Sequence, residues 1–315
     1  MMKTKPHPKI SAAFVFWLVQ NANSISPTNP LRYVVWKIFW FLHQPICMDF
    51  VKQYLKHYHT DTVFSVAFHP SLPLLATGSY DKSTILYDLS TSPPTVKHHI
   101  KHHTNGVNSV AFHPNLPLLA TGSDDKSTIL YDISTSPPTV KYHLKHHRSV
   151  AFQSTWARPV AFHPTLPLFA TGTVLYDIST SPPTIKHHLK GDHTNNVYSV
   201  AFHPNLPLFV TGSADNSTIL YDISTSPPTV KHHFKYHTEW VRVVAFHSSL
   251  PLLATCSFDK STILYDISTS SPTIKYHLKD HTSLVFSLAF HSILPLLITG
   301  SADTTTILYN LDKMK

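Results

Sequence analysis

The chain has 315 residues, with 25 Lys and Arg against 17 Asp and Glu, giving a formal charge of +8 with its 25 histidines counted neutral. Charged residues are 13%, about half the usual share, and hydrophobic residues are 42%, so a solvated disordered chain is excluded. Two cysteines far apart, Cys47 and Cys256, exclude a disulfide framework and a cysteine zinc cluster; no glycine-rich phosphate loop occurs, and no apolar run reaches the ~18–20 residues of a membrane-spanning helix.

Lys3, Lys5 and Lys9 precede an apolar lead, residues 10–19, and Ala22, Asn23 and Ser24 come after it. That order suits a secretory signal. Two unpaired cysteines suit a reducing compartment better, so a cytoplasmic or nuclear location is expected and the lead, residues 1–19, is read first as a closing strand. In residues 20–58, Pro27, Asn29, Pro30 and Leu31 echo Pro114, Asn115, Pro117 and Leu118, and residues 51–56 (VKQYLK) echo the VKHHIK string at Val96. Residues 20–58 therefore read as a degenerate copy of the repeat that occupies the remainder of the chain, or as a closing fourth strand alone.

From residue 59 to residue 315 the sequence is a repeat. SVAFHP, LPLLATGS, STILYDIS and TSPPTVKHH recur, and the tyrosine of ILYD falls at 87, 131, 176, 221, 265 and 309, a period of 44 or 45 residues. Within the first copy, residues 63–68 alternate with period two and read as a strand between turns. Residues 74–79 form a second strand, and Asp81 and Lys82 a tight turn. Residues 83–89 form a third strand with a short apolar run, expected to be covered on both faces. Residues 95–101 form a fourth, more polar strand that suits an outer edge. A four-stranded unit of ~40–45 residues repeated around an axis is a β-propeller blade.

A second periodicity runs through the polar residues. His59, Thr77, Asp81 and Tyr87 recur at the same spacing as His103, Thr121, Asp125 and Tyr131, as His193, Thr211, Asp215 and Tyr221, as His237, Thr255, Asp259 and Tyr265, and as His281, Thr299, Asp303 and Tyr309. The Asp can accept from the His ring, the other ring nitrogen can pair with the Thr hydroxyl, and that hydroxyl with the phenol. Such a chain fixes one packing when every member is satisfied. Five copies fit a structural tetrad better than an active site.

This pattern resembles the WD-repeat family of β-propellers. The resemblance implies blades of four antiparallel strands, more often seven than six, and a non-catalytic scaffold that binds proteins or peptides on one loop-lined face. Departures are visible. Tyrosine stands where the family has tryptophan, the glycine before the histidine is replaced by Tyr58, His102, Asp192, Tyr236 and Asp280, and Asn310 ends the last copy where Asp is usual. The third copy reads TGTVLYD where its neighbours read TGSDDKSTILYD, with Gln153 at the histidine's place, so a distorted blade is expected there. Six copies are clear, and a seventh blade is expected if the degenerate residues 20–58 are counted.

No cofactor and no metal site are expected. The pairs His98–His99, His187–His188 and His232–His233 point to opposite faces of their strands. As fourth-strand residues they are expected to be exposed and to titrate near ~6.5. No carboxylate pair or nucleophile stands apart from the repeats, so an enzyme is not expected. The positive charge makes RNA or another polyanion the alternative partner, but the lysines spread evenly over the copies. Cys256 replaces a repeat glycine and reads as a packed strand residue. What varies between copies is the segment after the tetrad His (Phe64, Asn108, Tyr198, Trp240, Arg242, Phe286) and the turn beside the tetrad Asp (Tyr80, Asp124, Phe258). The resemblance puts both on one face. Variable aromatic and arginine side chains on a rigid frame are the partner-binding candidates.

Overall fold

Runs of β-branched and aromatic residues, punctuated by Pro and by Asp/Ser turns, produce strands and nothing else among the described residues. The computed structural model describes residues 58–91, 94–145, 159–189, 192–291 and 294–314, and these contain twenty-three strands. Blade 1 is β1 (Val63–Phe68), β2 (Leu74–Ser79), β3 (Thr84–Asp88) and β4 (Thr95–Ile100). Blade 2 is β5 (Val107–Phe112), β6 (Leu118–Ser123), β7 (Ser127–Asp132) and β8 (Thr139–Lys145). Blade 3 is β9 (Val160–Phe162), β10 (Leu168–Thr171), β11 (Val174–Asp177) and β12 (Thr184–His188). Blade 4 is β13 (Val197–Phe202), β14 (Leu208–Ser213), β15 (Thr218–Asp222) and β16 (Thr229–Phe234). Blade 5 is β17 (Val241–Phe246), β18 (Leu252–Ser257), β19 (Thr262–Asp266) and β20 (Thr273–Leu278). Blade 6 has β21 (Val285–Phe290), β22 (Leu296–Ser301) and β23 (Thr306–Asn310). Every sheet is an antiparallel meander in chain order, four-stranded in blades 1–5 and three-stranded in blade 6. The architecture is the six-blade propeller that the repeat predicts. The proposed closing strand and the degenerate seventh blade fall in residues 1–57, outside the described residues.

Burial explains the composition of each strand. In blades 1, 2, 4 and 5 the second and third strands are covered on both faces, which is why LLATGS and TILYD are almost wholly buried there; in blade 6 they are partly open. The fourth strand is the outer edge and alternates exposed with half-buried. Close approach between blades depends on the glycine of ATGS. A Cβ on Gly78 would lie 2.8 Å from a Val107 methyl, and one on Gly212 2.8 Å from methyls of Val241 and Val244. Blade 5 places Cys256 there instead, fully buried with Sγ 3.7 Å from the Val285 carbonyl. Burial pushes its thiol up to about 12, so it is the packed, unreactive residue expected. Serines of the first strands add polar links: the Oγ atoms of Ser65, Ser109 and Ser199 accept the N–H of Val110, Val160 and Val244 at 3.0–3.1 Å.

A second set of histidines, not singled out from the sequence, locks one blade to the next. His69, His113, His163, His203, His247 and His291 come directly after the first strand of each blade. In the first five, Nδ1 accepts two backbone N–H groups of the adjoining turn at 2.9–3.2 Å, as in His113 with Asn115 and Leu116. The ring faces a phenylalanine of the next blade, Phe112, Phe162, Phe202, Phe246 or Phe290, at 4.9–5.1 Å between centroids. Burial lowers the pKa of all six, and His69, His113 and His203 fall to about 4. A proton on Nδ1 would also confront two N–H donors.

The shortened third copy still makes a four-stranded blade. Its β10–β11 hairpin closes through Gly172 and Thr173, and Gly172 adopts φ +56°, which glycine tolerates without strain. Its inner strand is reduced to three residues. With no tetrad histidine to occupy it, the Thr171 hydroxyl pairs with Thr128 of blade 2 at 2.9 Å. In blades 1, 4 and 5 the counterparts of Thr128, namely Thr84, Thr218 and Thr262, have buried hydroxyls with no partner.

The inter-blade histidines set the acid response. Their folded pKa lies below the unfolded value of ~6.5, so the unfolded chain takes up protons first as pH falls. Their stabilising contribution is complete above ~6.5 and lost progressively towards 4. A histidine shifted to about 4 loses about 2 kcal/mol of this contribution at pH 5. The urea midpoint, tracked by circular dichroism, should therefore fall steeply from pH 7 to pH 5. A midpoint unchanged over that range would contradict the assignment.

Candidate binding face

Apart from Trp240, which stands just ahead of β17 where blade 2 has Gly106, the candidate partner-binding residues occupy two repeated backbone positions. Phe64, Asn108, Tyr198, Arg242 and Phe286 are each the second residue of a first strand, and at each of these the pairing register with the next strand slips. A β-bulge leaves one residue without a cross-strand partner and re-aims its side chain. The second position is the residue before the tetrad Asp: Tyr80, Asp124, Ala214, Phe258 and Ala302. Its N–H bonds the carbonyl just ahead of the first strand, that of Thr62, Gly106, Asn196, Trp240 or Leu284, at 2.8–3.0 Å. Bulge and turn residue of one blade are thus held side by side.

The side chains fall into two clusters. In blades 1 and 2, Phe64 meets Tyr80 edge to face at 5.9 Å, Tyr80 lies on Gly106, and the Asn108 amide donates to the Asp124 carboxylate. In blades 4 to 6, Tyr198 stacks on Trp240 at 5.5 Å, Trp240 on Phe258 at 5.6 Å, and Phe258 meets Phe286 edge to face at 5.2 Å. The Arg242 guanidinium lies 5.6 Å from the Tyr198 ring centroid. Phe64, Tyr80, Trp240 and Phe286 are 40–44% exposed, unusual for large rings that also touch one another. Burial raises the Tyr198 phenol's pKa and Asp124 adds to that, while Arg242 opposes it. Burial lowers that of Arg242, and no carboxylate pairs with it among the described residues.

Beneath this face the tetrads fix the loops. His59, His103, His193, His237 and His281 hold Oδ2 of Asp81, Asp125, Asp215, Asp259 and Asp303 through Nδ1 at 2.7–2.9 Å. Their Nε2 atoms lie 2.7–2.8 Å from the hydroxyls of Thr77, Thr121, Thr211, Thr255 and Thr299. An ionised carboxylate only accepts, so the Nδ1 proton points at Asp and Nε2 is left for the Thr hydroxyl. The same Asp accepts the N–H of the residue after the histidine at 2.8–3.1 Å. It also takes a hydroxyl two residues on, from Ser83, Ser127, Ser217, Ser261 or Thr305, at 2.5–2.6 Å. Burial alone would raise the carboxyl pKa of Asp81, Asp125, Asp215 and Asp259; the hydrogen bonds outweigh it and hold each well below the ordinary range.

Two sequence expectations need correction, and one member of the network went unread. The tyrosine does not complete the chain of hydroxyls in the way predicted. The Tyr131 and Tyr265 hydroxyls have no partner at hydrogen-bond length, although the neighbouring Thr121 and Thr255 hydroxyls still oppose the rise in phenol pKa that burial causes. The hydroxyls of Tyr221 and Tyr309 donate to Asp192 and Asp280 at 3.0 Å. The ring is chiefly an apolar plug, and the residue replacing the family's glycine serves it. The serine or threonine after the Asp belongs to the network and was missed, although STILYD repeats it. Six fourth-strand histidines do not titrate as expected: partial burial, with nearby lysines, lowers the pKa of His98, His99, His143, His187, His233 and His277. No three metal-ligating side chains cluster among the described residues.

Asp125→Ala should strip partners from the His103 ring, the Ser127 hydroxyl and two backbone N–H groups at once. At ~1–3 kcal/mol for each buried group left unpaired, a loss of at least about 3 kcal/mol is expected in urea unfolding. A loss under about 1 kcal/mol would show that the network is ornamental to stability.

Comparison with known proteins agrees with this geometry. A 33-residue stretch, 10% of this chain, is 61% identical to the probable cytosolic iron-sulfur protein assembly protein 1 of Candida dubliniensis, and spans only 9% of that relative's length. The likeness is therefore shorter than one repeat. The family described as WD domain, G-beta repeat matches residues 50–88, 94–132, 184–222, 228–266 and 272–310. The third copy, without its turn and tetrad, lies between matches. These matches cover more than half of the chain, which belongs to the WD40 repeat family.

Proposed function

We propose that the protein is a non-catalytic interaction scaffold that receives a protein or peptide partner on the bulge-and-turn face. The observation that carries this reading is the row of rings from Tyr198 through Trp240 and Phe258 to Phe286. These rings cross three blades and pack on each other; Trp240 and Phe286 are exposed, and Tyr198 and Phe258 are half-buried between them. Rigid aromatic side chains supply contact area at little entropic cost, and the tetrads have already ordered the loops. Arg242, without a carboxylate of its own, favours a partner that brings an acidic group beside an apolar anchor. A polyanion is a poorer match, since Asp124 and Glu239 stand among the same loops. The relative's role in iron-sulfur protein assembly does not transfer on a match of this length.

The test uses peptides selected on the full-length protein from a random displayed library. The double variant Trp240→Gly and Arg242→Asn reproduces the pair Gly106 and Asn108 that blade 2 already carries. Its lost stacking should cost about 1–2 kcal/mol of stability. Binding of the selected peptides should weaken by at least ~2 kcal/mol, about 30-fold. Peptides that bind the double variant as well as the parent would remove this face from the reading. Affinity that collapses with added salt would favour the polyanion instead.

A further inference from the structure

The blade ends away from the tetrads carry a second surface. There the first strand of each blade turns into the second through a histidine-led loop, residues 69–73, 113–117, 163–167, 203–207 and 247–251 in blades 1–5. Each loop holds a leucine out to solvent: Leu72, Leu116, Leu166 and Leu206 are 45–46% exposed and Leu250 is 36% exposed. These leucines are fixed in place. Their N–H groups donate to Nδ1 of the loop histidine at 2.9–3.0 Å, and their carbonyls accept the N–H two residues on at 2.7–2.8 Å. The proline after each leucine accepts an N–H from the loop between the third and fourth strands at 2.7–2.9 Å, as Pro73 does from Leu89. Successive loops adjoin, since each loop histidine packs on a phenylalanine of the next blade and the Asn205 amide donates to the Ser248 carbonyl at 3.1 Å. Single exposed leucines are ordinary, but the same rigid leucine in five successive blades makes a continuous apolar track.

Charge around this track is balanced. The leucine loops contain no Lys, Arg, Asp or Glu. Beside them stand Asp88, Asp132, Asp177, Asp222 and Asp266, the last residues of the third strands. Hydrogen bonds from the serine two residues on, and more weakly a lysine of the adjoining fourth strand, favour the ionised form of each. Those lysines are Lys97, Lys141, Lys186, Lys231 and Lys275, one for each carboxylate. A chain of formal charge +8 thus has one end where acid and base alternate evenly.

This end is also uniform where the opposite face varies. The leucine and the proline after it are the same in every copy, whereas Phe64, Asn108, Tyr198, Arg242 and Phe286 differ. A peptide, or a globular protein without repeats, has no set of apolar groups at blade-to-blade spacing. A second copy of this chain has that set, and its Asp and Lys side chains can exchange partners across the contact. The balanced charge also makes this the end at which two +8 chains repel each other least.

We propose that two copies of the chain associate through their leucine loops, in an isologous contact that leaves both aromatic faces outward. Little ordering entropy opposes the contact, because both tracks are already fixed. The pair presents two binding faces, which strengthens capture of any partner that carries its recognition segment twice.

The test is sedimentation velocity of the full-length protein across the micromolar range, where the mean mass should rise from one chain towards two. The triple variant Leu116→Asn, Leu166→Asn and Leu206→Asn should raise the dissociation constant at least ten-fold with circular dichroism unchanged. Carbodiimide cross-linking of mixed light- and heavy-isotope parent keeps the proposal testable should that variant fail to fold. Mixed-isotope links should join Asp132 and Asp177 of one copy to Lys141 and Lys186 of the other. A parent that remains monomeric would overturn the proposal. So would association that survives the triple variant and is lost in Leu308→Asn, since Leu308, 61% exposed, lies on the third strand of blade 6, away from the track. Mixed links confined to Lys82, Lys126 and Lys260, in the turns of the opposite face, would overturn it as well.

Discussion

The carboxylate in the turn between the second and third strands organises each intact blade. In blade 2, Asp125 receives the His103 ring and the Thr104 N–H from the loop about twenty residues upstream, and the hydroxyl and N–H of Ser127 from its own turn. One buried acceptor thereby ties the loop entering the blade to the hairpin inside it. The geometry is specific because a buried carboxylate lacking any of these donors would be costly to keep. The residue after it accepts a left-handed backbone to close the turn, as Lys82, Lys126, Asn216, Lys260 and Thr304 all do, at φ 67–70°. That conformation is unfavourable for all but glycine and, more mildly, asparagine, and it persists because the carboxylate's bonds over-determine the turn.

The binding face is a consequence of this constraint. The bulge residue and the turn residue flank the anchored hairpin, so their side chains vary freely while their backbones do not. Identical frames present Phe64 with Tyr80, Asn108 with Asp124, and Arg242 with Phe258 in equivalent places. Blade 3, where the turn is deleted, adds none among the described residues, and it separates the two clusters. Its four strands nevertheless persist, since strand pairing and the His163 contact with Phe202 need no carboxylate. Blade formation and face formation are separable.

Much of this was legible in the sequence because repetition amplifies weak signals. The period, the strand pattern and the spacing of His, Thr and Asp each recur, and the structure places all five sets as expected. The inter-blade histidines were just as regular but carried no spacing partner, since Nδ1 binds backbone N–H groups that no residue type reveals. The tyrosine pairing was read as tighter than it is: the Thr121 and Thr255 hydroxyls stand beside Tyr131 and Tyr265 but not at hydrogen-bond length, and the buried ring's apolar area carries the position. The bulge was invisible, as a register slip leaves no trace in composition. Its consequence, variability at Tyr198 and Arg242, was visible, so the face could be outlined without its cause.

The central claim is that the turn carboxylate, rather than strand pairing, holds the upper end of each blade rigid. Hydrogen exchange on the full-length protein tests it by comparing blade 3, which lacks the network, with blade 4, which has it. Amides at residues 170–175 should exchange at least ten-fold faster than those at residues 210–219, while the lower ends near Phe162 and Phe202 exchange alike. Equal protection at the upper ends of the two blades would contradict the account.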